Sequence, residues 1–262
     1  MRFKDEKHQP AKLDRPLKVI VLAAGKGKRL KSEKADLPKV LRQAAGKPLL
    51  RWAAENLSFV SKQDIILVVG YQAEKVKAEM GPAYQYVIQD QQLGTGHAAA
   101  AAAGQLADYQ GDILIIYGDM PLFKAETYYQ LVAKHQQSDA DCTMLTAIVK
   151  RDLAYGRIIR DAKGHFKGIV EQKDCTPDQL AIREMNPGVY VFKSQLLWPL
   201  LKKLKNNNAQ GEYYLTDIPA LLIEQGYVVQ THTTEDEDQI LGVNTQEDLV
   251  YCSQLLQERE ND

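Results

Sequence analysis

What most restricts this chain is a recurring pair: a short run of aliphatic and β-branched residues, then a longer segment whose apolar positions have helical spacing. The runs are LKVIVLA (17–23), DIILVVG (64–70), YQYVIQ (84–89), DILIIYGD (112–119) and DCTMLTAIV (141–149). Between them lie KPLLRWAAENLSF, QAEKVKAEM, GTGHAAAAAAGQLA and KAETYYQLVAKHQQ, whose composition and period favour helices. Such an alternation implies an α/β fold, a mostly parallel sheet covered by helices on both faces. In sheets of this kind ligands bind beyond the carboxyl ends of the strands.

The later third reads differently. RIIRD, GHFKGIVEQ and GVYVF are short strands around tight turns, expected to form a small β-meander beside the sheet; QLLWPLLKKL and YLTDIPALLIEQG return to helix, GYVVQTHTT is a late strand, and TQEDLVYCSQLLQERE closes as a charged helix. Residues 1–16 read as a flexible arm and 17–262 as a single domain, with the Ala98–Ala103 run as a close-packed helix face. Lys and Arg (33) nearly balance Asp and Glu (34), so no global field favours nucleic acid, and any basic function is local. Three dispersed cysteines, Cys142, Cys175 and Cys252, without a CxxC pair, fit a reducing compartment. With no apolar run of about 20 residues and no secretory leader, the expectation is a cytoplasmic protein without a membrane partner.

The chemistry concentrates in VIVLAAGKGKRLKSEKADLPK (19–39), which follows the first strand at the edge where ligands bind. Gly25 and Gly27 permit close backbone approach, and exposed amides there can cradle anionic oxygens. Arg29 and Lys39 add full charges, one as a bidentate fork and one as a point charge. This describes a triphosphate site, although neither the GK[ST] of a Walker loop nor the third glycine of a dinucleotide fingerprint is present. The bland alternative is a solvated lysine-rich loop.

LAAGKGKRLKS, LPKVL and AGKPLL resemble the motifs of sugar nucleotidyltransferases. QQLGTGHA (91–98), YGDMPL (117–122), YGRIIRD (155–161), GIVEQKD (168–174), MNPGVYVF (185–192), NNNAQGEYYLTD (206–217) and GVNTQEDL (242–249) follow in the same order as in one branch. Together, over about residues 17–257, they resemble the uridyltransferase half of the bacterial bifunctional N-acetylglucosamine-1-phosphate uridyltransferases/glucosamine-1-phosphate acetyltransferases. The resemblance implies a Rossmann-like, glycosyltransferase-A-like nucleotidyltransferase fold. It implies transfer of UMP from UTP to a sugar 1-phosphate, N-acetylglucosamine 1-phosphate above all, with Mg2+ as cofactor.

The resemblance also distributes roles. Arg29 and Lys39 would be catalytic, binding the triphosphate and the transferring phosphoryl group, with Ala23, Ala24, Gly25 and Gly27 along the nucleotide. Gln89, Gln92 and Gly94 would read the uracil, supported by Thr95, which could equally cap its helix. Tyr117, Gly118, Gly156, Glu171 and Asn186 would surround the sugar. Asp119 and Asn244 would hold the metal, a two-ligand set that suits magnesium completed by water and phosphate oxygens; outside this context the first could be a helix cap and the second a turn residue. His97 is expected to be structural, and no HxxxH or HExxH pattern supports zinc.

Several positions depart from the family's pattern. Lys28 stands where threonine is usual, EKAD (33–36) lengthens the loop before Lys39, Arg42 replaces a histidine, and Pro187 replaces the threonine of NTG, removing a backbone N–H beside Asn186. The chain ends within the helix after GVNTQEDL, so the expectation is no left-handed β-helix, no acetyltransferase, and a monomer or weak homodimer. Two alternatives stay open: a nucleotidyltransferase for another sugar 1-phosphate, and a catalytically impaired regulatory homologue that binds a nucleotide sugar.

Overall fold

The computed structural model describes residues 13–27, 30 and 36–261. In chain order the strands are β1 (Leu17–Ala23), β2 (Gln43–Ala44), β3 (Lys47–Pro48), β4 (Ile65–Val69), β5 (Gln85–Ile88), β6 (Asp112–Tyr117), β7 (Cys142–Ile148), β8 (Gly156–Arg160), β9 (Phe166–Val170), β10 (Glu184–Asn186), β11 (Tyr190–Lys193) and β12 (Val229–Thr234). β2 and β3 make a separate small hairpin; the other ten form one sheet. β5, β4, β1 and β6 pair side by side and parallel, and β12 is parallel to β7.

Along β1 successive side chains enter opposite cores. Val19, Val21 and Ala23 pack with Leu67, Leu114 and Ile116 and with the Leu49–Glu55 and Ala125–Gln137 helices. Ile20, Leu22 and Ala24 pack with Ile66, Val68, Ile113 and Ile115 beneath Ala98, Ala99 and Ala102 and the Ser194–Leu201 helix. Burial on both faces is what continuous apolar strands require, and the alanine run is a close-packed helix face as its composition implies.

β11 enters antiparallel between β6 and β7, and β10 continues it along β7. Between the pairs Met185↔Ala147 and Tyr190↔Met144, five steps on one strand match three on the other, so two extra residues bulge at Pro187–Val189. The flank of this long bent strand away from β7 carries β6 beside its β11 half and β8 beside its β10 half. The sheet therefore forks, and the gap between the carboxyl end of β6 and the start of β8 opens over the bulge. The expected meander is a β8–β9 hairpin that extends this fork in the plane of the sheet.

At the opposite end of the strands, the stretch from Leu13 to Pro16, expected to be part of a loose arm, is tied down. Leu13 packs on the core, the amides of Asp14 and Arg15 donate to Gln136 Oε1 at 2.7 and 3.2 Å, and the Pro16 carbonyl accepts from the Asp112 amide. Residues 1–12 of that arm lie outside the described residues.

Candidate active site

β1 delivers the chain at Ala23 to the carboxyl edge of the sheet, and Ala24, Gly25 and Gly27 continue along one wall of a cavity of about 330 Å³. Gly27 takes φ 67°, and its carbonyl accepts from the Leu30 amide, which turns the loop back. Arg29, the expected catalytic arginine, lies with Lys28 outside the described residues. So do residues 33–35 of the lengthened loop; at its end Asp36 accepts a hydrogen bond of 2.6 Å from Lys75. Arg42 braces the site from below: its Nη2 donates to the Leu30 carbonyl at 2.8 Å and ties the turn after Lys39 to the glycine loop.

Gln89, Gln92, Gly94 and Thr95 form the far wall of the same cavity. Gln89 is buried, and its Nε2 lies 3.0 Å from His97 Nδ1 and donates to the Gly94 carbonyl at 3.3 Å, which fixes the amide. His97 thus orients a polar neighbour, consistent with a structural role. Gly94 is glycine for a reason the sequence does not disclose. It sits at φ 114°, ψ 175°, and a Cβ there would lie 2.6 Å from the Tyr213 carbonyl oxygen, so protein backbone occupies the space expected for a base. Thr95 does not cap its own helix, for which Gly94 is the capping residue; its Oγ1 accepts from the Leu215 amide at 3.0 Å.

A second cavity of about 290 Å³ opens over the fork of the sheet and shares Thr95, Tyr117, Asp119, Glu212 and Asn244 with the first. They are two lobes of one cleft. Gly156, Glu171 and Asn186 line the second lobe. Gly118, expected near the sugar, lines neither: its amide donates to the Leu22 carbonyl, and a Cβ would meet Leu50 Cδ1 at 2.7 Å, so packing dictates glycine there. Asn186 is held from both ends, Nδ2 donating to Tyr190 Oη at 2.7 Å and Oδ1 accepting from the Gly188 amide at 3.2 Å. Pro187 falls in the bulge, where no ladder hydrogen bond is demanded of it, and its missing N–H is tolerated. Burial raises the Glu171 carboxyl above its ordinary range, against a 3.0 Å hydrogen bond from Thr216 and with help from neighbouring Asp217, Asp174 and Glu212. Burial likewise pushes up the Tyr117 hydroxyl, aided by the Glu171 carboxylate.

Where the lobes meet, three side chains converge. Lys39 leads a one-turn helix, Lys39–Leu41, started by Pro38 and anchored by buried Val40 and Leu41. Its ammonium donates to Asp119 Oδ2 and, at 2.9 Å, to Asn244 Oδ1. The Val243 amide donates to the Asp119 carbonyl at 3.0 Å, and Asp248 Oδ2 accepts from the amides of Asn244 and Thr245 at 2.8 Å each. Tyr155 bridges the same loop, donating to the Ile240 carbonyl at 2.5 Å and accepting from the Gly242 amide at 2.9 Å. Asp119 and Asn244 thus present two oxygens to one cationic point. Among the described residues no cluster of three or more His, Cys, Asp or Glu side chains is built to hold a metal. Two hard oxygen donors with an open side suit a magnesium ion that keeps water and phosphate oxygens in its sphere.

The motif NNNAQGEYYLTD contributes residues to which the sequence attached no role. Glu212 lines both lobes, and Gln210, Tyr214 and Thr216 line the second, with Gln210 Nε2 on Tyr214 Oη at 2.8 Å. Asn208 organises the approach, its Oδ1 accepting from the amides of Gln210 and Glu212 at 3.2 Å each. The density of hydroxyl, amide and acid groups in that motif is the signal that could have found them.

Residues 19–217 match the family model for the MobA-like NTP transferase domain. The chain is 43% identical over 242 residues to the bifunctional protein GlmU of Limosilactobacillus fermentum, and 41% identical to that of Bacillus thuringiensis. In both cases 92% of this chain aligns with 52% of the relative, so it spans about half the length of the curated relatives it matches. A putative glucose-1-phosphate thymidylyltransferase from Bacillus anthracis, solved in complex with a sucrose, superposes with a TM-score of 0.71 at 20% identity, covering 92% of this chain and 95% of the other. At that identity the likeness speaks for the fold. No helix among the described residues is long and apolar enough to cross a membrane.

Proposed function

The chain belongs to the MobA-like NTP transferase domain family, and on that premise we propose that it transfers UMP from UTP to N-acetylglucosamine 1-phosphate, yielding UDP-N-acetylglucosamine and pyrophosphate. The two-lobed cleft joined at Lys39, Asp119 and Asn244 is the observation that supports this reading most. One lobe offers glycine-loop backbone and glutamine amides to a nucleotide; the other offers Glu171, Asn186, Tyr214 and Thr216 to sugar hydroxyls and an N-acetyl group. The GlmU relatives and the NTP transferase domain support sugar-phosphate nucleotidyl transfer, and the choice of N-acetylglucosamine 1-phosphate and UTP rests on the motif resemblance.

In this reaction an acceptor phosphate oxygen attacks the α-phosphorus, the bond from that phosphorus to the α–β bridging oxygen breaks, and the electron pair departs with pyrophosphate. Both reactants are anions, so the protein's work is to neutralise charge and hold the line of attack. Lys39, with Arg29 from the glycine loop, supplies cations to the triphosphate; Gln89 and Gln92 select the base; Glu171 and Asn186 orient the acceptor. A magnesium ion held by Asp119 and Asn244 would neutralise phosphate oxygens.

The test is pyrophosphate release with UTP and Mg2+ against N-acetylglucosamine 1-phosphate, glucose 1-phosphate, N-acetylgalactosamine 1-phosphate and no acceptor. Selective release with the first is expected. Release with a different acceptor overturns the sugar and retains the chemistry; UTP binding without turnover on any acceptor favours the regulatory homologue.

A further inference from the structure

We propose that Lys39 is a built-in competitor for the metal: its ammonium occupies the Asp119 and Asn244 oxygens until a triphosphate draws it away, so that metal loads with or after nucleotide. This rests on the metal reading above. The two oxygens that would bind a divalent ion are the ones the ammonium holds, Asp119 Oδ2 and, at 2.9 Å, Asn244 Oδ1. The lysine and aspartate side chains are only 12% and 20% exposed, so solvent screens little of the repulsion between an ammonium and a divalent ion sharing those atoms. Both cations cannot be held there together.

The architecture decides which partner gives way. Asn244 is fixed through its own amide to Asp248 at 2.8 Å, and the Asp119 carbonyl accepts from Val243 at 3.0 Å, so both ligands are braced. Lys39 has a fixed backbone but a flexible four-carbon stem, and its Nζ can move while its Cα stays in the Pro38 turn. The cavity wall formed by Gly25 and Gly27 faces Lys39 across the same lobe, where a bound triphosphate would offer the ammonium replacement oxygens. Nucleotide and metal are thereby positively coupled through one side chain, which before substrate arrives serves as the counter-ion of Asp119.

The experiment measures Mn2+ binding to the nucleotide-free protein from the free-ion paramagnetic resonance signal. Lys39→Met and Lys39→Gln should bind Mn2+ about fivefold tighter or more than the parent. Lys26→Met removes the same charge from the exposed part of the glycine loop and should stay within about twofold of the parent. Asp119→Ala should abolish specific binding. Near-ultraviolet circular dichroism verifies that each variant is folded. Unchanged or weaker binding in both Lys39 variants, with binding still lost in Asp119→Ala, overturns the competition and leaves the metal site standing. An equal gain in Lys26→Met overturns it in favour of general electrostatics. Parent-like binding in Asp119→Ala removes the metal site itself, and the competition with it.

Discussion

Gly94→Ala sets one added methyl against backbone at the heart of the cleft. The backbone at φ 114°, ψ 175° lies where only glycine is comfortable, a strain of about 1–3 kcal/mol for alanine. The new methyl would also lie 2.6 and 2.8 Å from the Tyr213 carbonyl oxygen and amide nitrogen. Those atoms cannot rotate aside, since Tyr213 donates to the Leu93 carbonyl at 2.9 Å and accepts from the Gly96 amide at 2.8 Å. Overpacking of this kind adds about 1–3 kcal/mol, for a total of about 2–6 kcal/mol. At about 2–4 °C per kcal/mol, thermal unfolding should move down by about 4–24 °C. Because Glu212 precedes Tyr213 and lines both lobes, relaxation of the clash should also raise KM for nucleotide and sugar phosphate alike. The control is Gly25→Ala, where a Cβ would meet nothing within 4 Å and the melt should match the parent. A Gly94→Ala protein that melts within a degree of the parent would refute the reasoning.

Two further outcomes are expected. Tyr190→Phe deletes the oxygen that accepts from Asn186 Nδ2 and leaves a buried amide hydrogen unpaired, a loss of about 1–3 kcal/mol in urea unfolding; KM for the sugar phosphate should rise while KM for UTP holds, and parallel changes in both would refute the positioning role of Tyr190. Asp112 is buried, which by itself would raise its pKa, yet the His135 ring nitrogen 3.4 Å away and hydrogen bonds from Gln136 and Arg15 win and hold it below the ordinary carboxylate range. Its stabilising contribution is therefore full above the unfolded value of about 4 and disappears as pH falls through the lower folded value. The stability gap between parent and Asp112→Asn should be constant from neutrality to about pH 5 and shrink below about pH 4 in acid unfolding curves; a gap that widens there would contradict the sign.

Most strands were legible because their two-faced burial leaves a local imprint. LKVIVLA became β1 residue for residue, and DILIIYGD gave β6 with Asp119 just past its end. Pairing order left no such imprint. Nothing local in GVYVF states that β11 enters between β6 and β7, because a ladder partner far along the chain contributes hydrogen bonds and no sequence period. Site residues followed the same rule. Lys39, Asp119 and Asn244 stand in motifs with unusual local composition, and the structure brings them together. Glu212 and Thr216 stand in a motif whose polar density is visible although no role for either residue is, and the Thr95–Leu215 and Gly96–Tyr213 hydrogen bonds help to bring them to the cleft. Glycines were visible as exceptions but not their reasons: Gly94 and Gly118 make room for protein, while the space beside Gly25 is open.

The fork in the sheet gives the two lobes separate foundations. The first lobe stands on β1 and the loop after β5, the second on β8, β9 and the bulge at Pro187–Val189, and the two meet at Thr95, Tyr117, Asp119, Glu212 and Asn244. On the proposed assignment, replacements in the second lobe away from these five shared residues can accumulate without retuning the first. Pro187 has that character: a foreign residue absorbed at the bulge while every member of the Lys39–Asp119–Asn244 junction is kept. A scaffold divided this way lets a lineage exchange one substrate for another and inherit the rest of its chemistry intact.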